Sequence, residues 1–223
     1  MLKRKGIGFQ SSRGIIMIAV AITGASGPVM GIRLIEELLN TGEEVYAVVS
    51  DAAWQIIGHE LSHKKSDSLP LADLLSKRGK TANLNLLKEF GNRDFFAPLG
   101  SGSTLFEAMV VIPCSMKTLS GIAHGYADSL ITRACDVALK EKRKLIIVPR
   151  ETPLSIIHIE NMHKLALAGA VILPPVIGFY TLPETIDDLI GFVAGKVLNL
   201  LGKKNTLFES WEKMNNPSPA SKE

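Results

Sequence analysis

Cysteine is scarce in this chain: Cys114 and Cys135 are the only two in 223 residues, and no Cys-x-x-Cys spacing occurs. A disulfide framework is therefore excluded, neither thiol needs a partner, and a reducing cytoplasm is the expected setting. Excess charge is scarce too. The 25 Lys and Arg against 22 Asp and Glu leave a net charge of +3, and the cations are scattered rather than gathered in a stripe. Nucleic acid is then not the expected partner, and a small anionic ligand fits better. No apolar run reaches the roughly 20 residues that a membrane-spanning helix needs. Residues 1–13 are basic but lead into a short apolar run and glycines, with no Ala-x-Ala cleavage site. Neither membrane insertion nor secretion is expected. Internal repeats and long low-complexity tracts are missing as well.

What is present is a 46% hydrophobic chain long enough for one α/β domain with a sizeable core. The periodic pattern begins near Ile15, so residues 1–14 read as a loose tail and Met17 is a candidate start alongside Met1. Residues 15–23 form a continuous apolar strand. The turn Gly24-Ala25-Ser26-Gly27-Pro28 opens a helix to about Asn40, with Ile32, Ile35, Leu38 and Leu39 facing inward. Further strands are expected at 44–50, 108–113, 145–148 and 170–173, and further helices at 52–63, 127–142, 159–168 and 186–201. Thr185 and Asp188 form a capping box at the start of the last helix, and Gly202 ends it. Between Ser66 and Thr104 the pattern is irregular, with two short amphipathic pieces at 71–75 and 84–90; it reads as an excursion from the sheet. The expected fold is a doubly wound, three-layer α/β/α sandwich with a mostly parallel sheet, one unit over 15–202 followed by a C-terminal segment and polar tail at 203–223.

Ligands of such sheets sit beyond the carboxyl ends of the strands. The strand 145–148 delivers Arg150 and Glu151 side by side at its end, and the strand before it runs into Pro113-Cys114-Ser115-Met116-Lys117-Thr118 at another helix start. Backbone amides there, with Ser115, Lys117 and Thr118, suit an anion or a ring edge. The Gly24 to Gly27 turn has the same character, with Ser26 adding a hydroxyl, although a turn that merely packs strand on helix is the competing reading. It resembles the first turn of short-chain dehydrogenases, but Tyr46, Tyr126 and Tyr180 all lack the Tyr-x-x-x-Lys partner. His59-Glu60-Leu61-Ser62-His63 matches the zinc motif H-E-x-x-H, yet Ile56, Ile57 and Leu61 give an ordinary amphipathic face and no third ligand stands downstream, so a solvated helix face is expected. Cys114 is either an inert thiol beside an apolar strand or a nucleophile at a helix start. His124, His158 and His163 have no Ser or Cys partner in sequence and read as structural or surface residues.

Seven segments together carry a resemblance to a known family: Gly24-Ala25-Ser26-Gly27, Pro113 to Thr118, Arg133-Ala134-Cys135-Asp136, Leu139-Lys140-Glu141-Lys142-Arg143, Val148-Pro149-Arg150-Glu151-Thr152-Pro153-Leu154, Glu160-Asn161-Met162 and Gly178-Phe179-Tyr180. In this order, over about residues 18–201, the chain resembles the UbiX family of flavin prenyltransferases, once described as aromatic-acid decarboxylases. The resemblance implies transfer of a dimethylallyl group from dimethylallyl phosphate to N5 and C6 of reduced FMN, with the prenylated FMN passed to a UbiD-type decarboxylase. It implies no metal, and a cytoplasmic homo-oligomer, a dodecamer, with sites between subunits. It places Gly24, Ala25, Ser26, Ser50, Ser115, Met116, Lys117, Thr118 and Arg150 on FMN, and Arg133, Lys140, Arg150, Glu151, Tyr180 and Lys196 at the prenyl phosphate. Ser26, Glu151, Lys140 and Arg133 are the expected catalytic set, and Trp211 is either a π surface for a neighbouring subunit's site or an anchor for the tail.

The residue types also suit the chemistry, since cleaving an allyl phosphate needs cations around the leaving group and apolar or π surfaces around an allylic cation. Arg133 and Lys140 lie seven apart on one helix and can point the same way; Asp136 paired with Lys140 on a solvated face is the plainer alternative. Glu151 is either the proton-transfer group or a structural ion-pair partner of its neighbour. A flavin-dependent cysteine decarboxylase is the runner-up enzyme class, though its Pro-Ala-Ser-Ala-Asn turn is absent. A non-catalytic FMN carrier is the alternative outside catalysis.

Overall fold

The apolar runs do form the strands of one parallel sheet, in a computed structural model that describes residues 17–209 apart from 64, 66–69 and 82. The expectations for residues 1–14 and for Trp211 lie outside the described residues. The strands are β1 (Met17–Ile22), β2 (Val45–Val49), β3 (Leu87–Gly91), β4 (Phe106–Cys114), β5 (Lys144–Pro149) and β6 (Val171–Ile172), in the order β3-β2-β1-β4-β5-β6. Every pairing is parallel. Among the described residues seven α-helices accompany them: α1 (Pro28–Asn40), α2 (Asp51–Glu60), α3 (Pro70–Arg78), α4 (Met116–Ala123), α5 (Leu130–Lys140), α6 (Ile156–Leu167) and α7 (Ile186–Leu200).

Alternation along β1 builds two cores. Ile18, Val20 and Ile22 pack with the apolar faces of α1, α2, α3 and α7, whereas Ala19 and Ala21 join Met109, Val111 and residues of α4, α5 and α6 on the other side. The expected three-layer, doubly wound fold is thus the observed one. After β1 the chain turns to the first face, and after β4 to the second, so a crevice opens between the ends of these two neighbouring strands.

The segment 66–104 departs from expectation. Rather than leaving the sheet altogether, it supplies the edge strand β3, in register with β2 from Val45 and Leu87 to Val49 and Gly91. None of its five residues is fully buried, so it lacks the continuous apolar run that marks the inner strands. Its alternation is nonetheless used. Phe90 stacks obliquely on Tyr46 at 5.1 Å between ring centres and Lys88 Nζ donates to the Tyr46 hydroxyl at 2.9 Å, while Glu89 turns the other way. The Glu89 carboxylate accepts from the Leu71 and Ala72 amides at 2.9 and 2.7 Å and so caps α3. Burial raises the pKa of that carboxyl. Arg78, at the other end of α3, grips the fully buried Glu36 of α1, with Nε 2.6 Å from Oε1.

The helix starts follow the sequence signals. Ser50, Ser115, Ser129, Ser155 and Thr185 each cap a helix with a side-chain oxygen, and Thr185 with Asp188 forms the expected capping box. Gly202, at φ 71°, follows α7 in the left-handed conformation. The second helix is shorter than expected: it ends at Glu60, and Ser62 at φ 52° turns the chain before His63.

Gly31 is where α1 comes closest to the sheet. A Cβ there would stand 2.3 Å from the Ile112 carbonyl oxygen and 2.8 Å from Ile22. Gly31→Ala must push α1 off β1 and β4, and we expect a loss of about 1–3 kcal/mol, typical of overpacking. Urea denaturation followed by circular dichroism measures it; an unchanged midpoint would mean that the contact yields without cost.

Candidate functional site

Four chain segments meet at the carboxyl edge of the sheet, and each is shaped by local requirements. After β1, Gly24 passes so close to α2 that a Cβ would lie 2.6 Å from the Ala52 Cβ. Gly27 then caps α1 at φ 86°, Pro28 follows at the first helical position, and the Gly27 amide donates to Glu60 Oε2 at 3.0 Å. After β2, the Ser50 amide donates to the Ile22 carbonyl at 3.0 Å and its hydroxyl accepts from Ala53 N at 3.1 Å. After β4, Ser115 caps α4 by accepting from Thr118 N at 3.3 Å, and the Ser115 and Thr118 hydroxyls are 3.1 Å apart. After β5, the Arg150 amide donates to the Cys114 carbonyl at 3.1 Å and its Nε to the Ser26 carbonyl at 3.2 Å, which lays the guanidinium across the first turn. Glu151 Oε1 accepts from the Thr152 amide at 3.0 Å, and among the described residues no ion pair joins Arg150 to Glu151.

These segments enclose two adjoining clefts. One, of about 510 Å³, is lined by Gly24, Ala25, Ser26, Ser115, Met116, Arg150 and Glu151, with Gln55, Ile56, His59 and Glu60 of α2. The other, of about 1020 Å³, is lined by Ser50, Lys117 and Thr118, with Asn92, Arg93 and Phe95 from the turn after β3 and Tyr126 and Asp128 before α5. Gly24, Ser115, Met116 and Glu151 border both. The N-termini of α2 and α4 open here, and together with Lys117 and Arg150 they form an electropositive floor; α1 starts just beyond Ser26, with its Gly27 amide engaged by Glu60. Exposed backbone at Gly24, hydroxyls at Ser26, Ser50, Ser115 and Thr118, and the apolar Met116 suit a planar heterocycle with a phosphate tail, as FMN has.

All nine residues expected on FMN therefore line this pair of clefts, and so does Glu151. Arg133, Lys140, Tyr180 and Lys196 line neither. Arg133 and Lys140 do point the same way, toward the loop between Gly100 and Gly102. Arg133 Nε donates to the Gly100 carbonyl at 3.1 Å, and Lys140 Nζ lies 2.7 Å from where a Gly102 Cβ would be. Each has its own carboxylate: Asp136 Oδ2 lies 2.9 Å from Arg133 Nη1, and Glu141 Oε1 lies 2.5 Å from Lys140 Nζ, which lowers the Glu141 pKa. Asp136 thus pairs with Arg133 rather than with Lys140. Tyr180 sits in the short turn Phe179–Thr181, edge-on to Phe192 with ring centres 5.8 Å apart, and Lys196 is exposed on α7.

The zinc reading of H-E-x-x-H fails on geometry. The helix ends at Glu60, so the two imidazoles are not one turn apart. His59 borders the smaller cleft, whereas His63, instead of facing solvent, is buried with Nε2 3.6 Å from Asp73 Oδ2. Among the described residues no group of three or more His, Cys, Asp or Glu side chains could hold a metal ion. Both thiols are buried, and desolvation drives their pKa values well above the ordinary thiol range, so Cys114 is an inert core residue and not a nucleophile. Glu60, Gln55, Asn92 and Arg93 were not legible as cleft residues. Glu60 was hidden inside the H-E-x-x-H pattern, and the others carry no local signal.

Comparison with known proteins places the chain. The flavoprotein family model matches residues 10–198. A flavin prenyltransferase UbiX of Alkalihalophilus pseudofirmus is 49% identical over 197 residues, spanning 87% of this chain and 96% of that protein. Among solved structures, AnUbiX (PadA1) in complex with FMN and dimethylallyl pyrophosphate superposes with a TM-score of 0.77 at 39% identity, covering 88% of this chain and 97% of that one. A dodecameric FMN-dependent UbiX-like decarboxylase of Escherichia coli O157:H7 gives a TM-score of 0.77 at 38% identity, covering 88% and 99%. The chain that sets two helix N-termini, Arg150 and Glu151 around this crevice therefore belongs to the flavoprotein family and, within it, to the UbiX flavin prenyltransferases.

Proposed function

We propose that this protein transfers a dimethylallyl group from dimethylallyl phosphate to N5 and C6 of reduced FMN, and that the prenylated flavin is released to a UbiD-type decarboxylase. The observation that carries the reading is the convergence on two adjoining clefts of Gly24, the N-termini of α2 and α4, Arg150 and Glu151. Reduced FMN, when bound, supplies the nucleophilic ring atoms. The Gly24 to Ser26 turn, Ser50, the Ser115 to Thr118 turn and Arg150 hold and orient it. Glu151, at the border of both clefts, moves a proton to the leaving phosphate or from the ring carbon that is alkylated. Ser26, exposed beside Arg150, directs its hydroxyl chemistry at the same place.

The donor phosphate requires the cations that stand outside the chain's own cleft. Arg133 and Lys140 on α5 and Tyr180 and Lys196 at α7 lie on opposite faces of the sheet, and neighbouring copies bring these two groups to the cleft. An unusual apolar exposure supports this arrangement: Phe179 is 72% exposed, Leu182 81% and Ile186 76%, in and after the very turn that carries Tyr180. A dodecamer is the assembly proposed. Asp136 and Glu141 keep Arg133 and Lys140 extended and ordered until phosphate competes for them. The cytoplasm is the proposed compartment, and among the described residues no helix is long and apolar enough to cross a membrane. No metal takes part in the proposed reaction.

Anaerobic incubation with FMNH2 and dimethylallyl mono- or diphosphate tests the reading by the mass and absorbance of the released flavin; an unaltered flavin with both donors would leave a carrier. For Glu151→Gln we expect both ligands still to bind and turnover to fall by roughly a hundredfold or more, the scale of a lost acid–base group. Full-speed product formation would remove Glu151 from the chemistry. Lys196→Ala should weaken donor binding several-fold with FMN affinity intact, since only a phosphate contact is lost; isothermal titration with each ligand separates the two. Dialysis against EDTA should leave turnover unchanged, and a loss restored by zinc would contradict the metal-free reaction.

A further inference from the structure

β1 and β4 must separate for the crevice to exist, and a single side chain closes the seam between them. The Thr23 amide donates to the Pro113 carbonyl at 3.2 Å. In a continuing parallel ladder the next bond would run from the Ser115 amide back to the Thr23 carbonyl. That carbonyl is instead taken by the Ala25 amide at 2.7 Å, in the tight turn around Gly24. The Ser115 amide donates to Thr23 Oγ1 at 2.8 Å, and Thr23 Oγ1 donates in turn to the Pro113 carbonyl at 2.8 Å. Thr23 is 1% exposed and lines neither cleft.

We propose that Thr23 is a positioning residue for the flavin cradle: its hydroxyl replaces the last carbonyl of the β1–β4 ladder, which frees that carbonyl to form the turn at Gly24. One hydroxyl thereby fixes both halves of the cradle. It holds the first turn through the released carbonyl, and it fixes Ser115, the cap of α4. With the Ser115 amide engaged by Thr23 and the Thr118 amide by the Ser115 hydroxyl, Met116 and Lys117 carry the first-turn amides left to face a ligand, and both residues line the larger cleft. The residue at 23 has to be small enough for the seam, buried, and able to donate and accept at once, which threonine and serine satisfy and valine does not. The inference rests on the proposed flavin site, but the seam itself is a property of the protein without ligand.

Three variants test it: Thr23→Val, which keeps the shape and loses the hydroxyl; Thr23→Ser, which keeps the hydroxyl; and Thr23→Ala, a smaller change should valine fold poorly. Titration with FMN should give Thr23→Ser an affinity within about threefold of the parent. Thr23→Val and Thr23→Ala should bind roughly tenfold or more weakly, the scale of one buried hydrogen bond lost. KM for the donor at saturating FMN should be unchanged in all three. Hydrogen exchange of peptides covering residues 114–119, measured without flavin, should speed up in the valine and alanine variants and not in serine. Equal FMN affinity in valine and serine variants, or equal protection of that segment, would overturn the role of the hydroxyl. A parent protein that fails to bind FMN would refute the flavin site, while the exchange contrast would still decide the seam.

Discussion

Two adjacent parallel strands that send their chains to opposite faces of the sheet impose the constraint on which this molecule turns. Once β1 commits to α1 and β4 to α4, backbone groups at the strand ends lose their ladder partners while a polar crevice opens between them. The structure meets this with short-range substitutes: the Thr23 hydroxyl for a carbonyl, serine caps for the helix amides, and Glu60 for the Gly27 amide. Gly24 and Gly31 sit where backbone passes backbone or side chain too closely for a Cβ. Packing and ligand recognition therefore draw on the same few residues.

Charge is divided between two surfaces of the protein. The crevice carries helix N-termini, Lys117 and Arg150, with Glu151 as an acid at their border. Arg133 and Lys140 stand apart on α5, each with a carboxylate neighbour and both turned toward the Gly100 to Gly102 loop. Half-exposed pairs of this kind add little stability. In the proposed role they hold long side chains in place, which would lower the ordering cost of binding an anion.

Much of this was legible in the sequence, for identifiable reasons. The inner strands are continuous apolar runs, the helices begin at Ser or Thr, and the loop chemistry at Gly24, Ser115 and Arg150 sits where an open parallel sheet puts its ligands. The edge strand β3 was not legible because Leu87 to Gly91 is half-exposed and is specified by its neighbours, Tyr46 on one face and α3 on the other. The burial of His63 is not visible in the sequence because the turn at Ser62 has no signature in its residue type, and burial of an imidazole beside Asp73 depends on α3 folding over it. Distance was likewise invisible. The family resemblance implies Arg133, Lys140, Tyr180 and Lys196 near the same phosphate as Glu151, but a pattern along one chain gives no distances, and within the chain these four line neither cleft.

The two thiols bear on the durability of the catalyst. Cys114 ends β4 immediately before Ser115, yet its side chain is buried, and both it and Cys135 are held protonated by desolvation. Thiolates are the side chains that allylic electrophiles alkylate most readily. In the proposed reaction an allylic ester would become reactive beside the β4 terminus, and the Cys114 sulfur, turned inward one residue away, would offer the electrophile no thiolate. Packing alone thus keeps the protein's own thiols out of such chemistry.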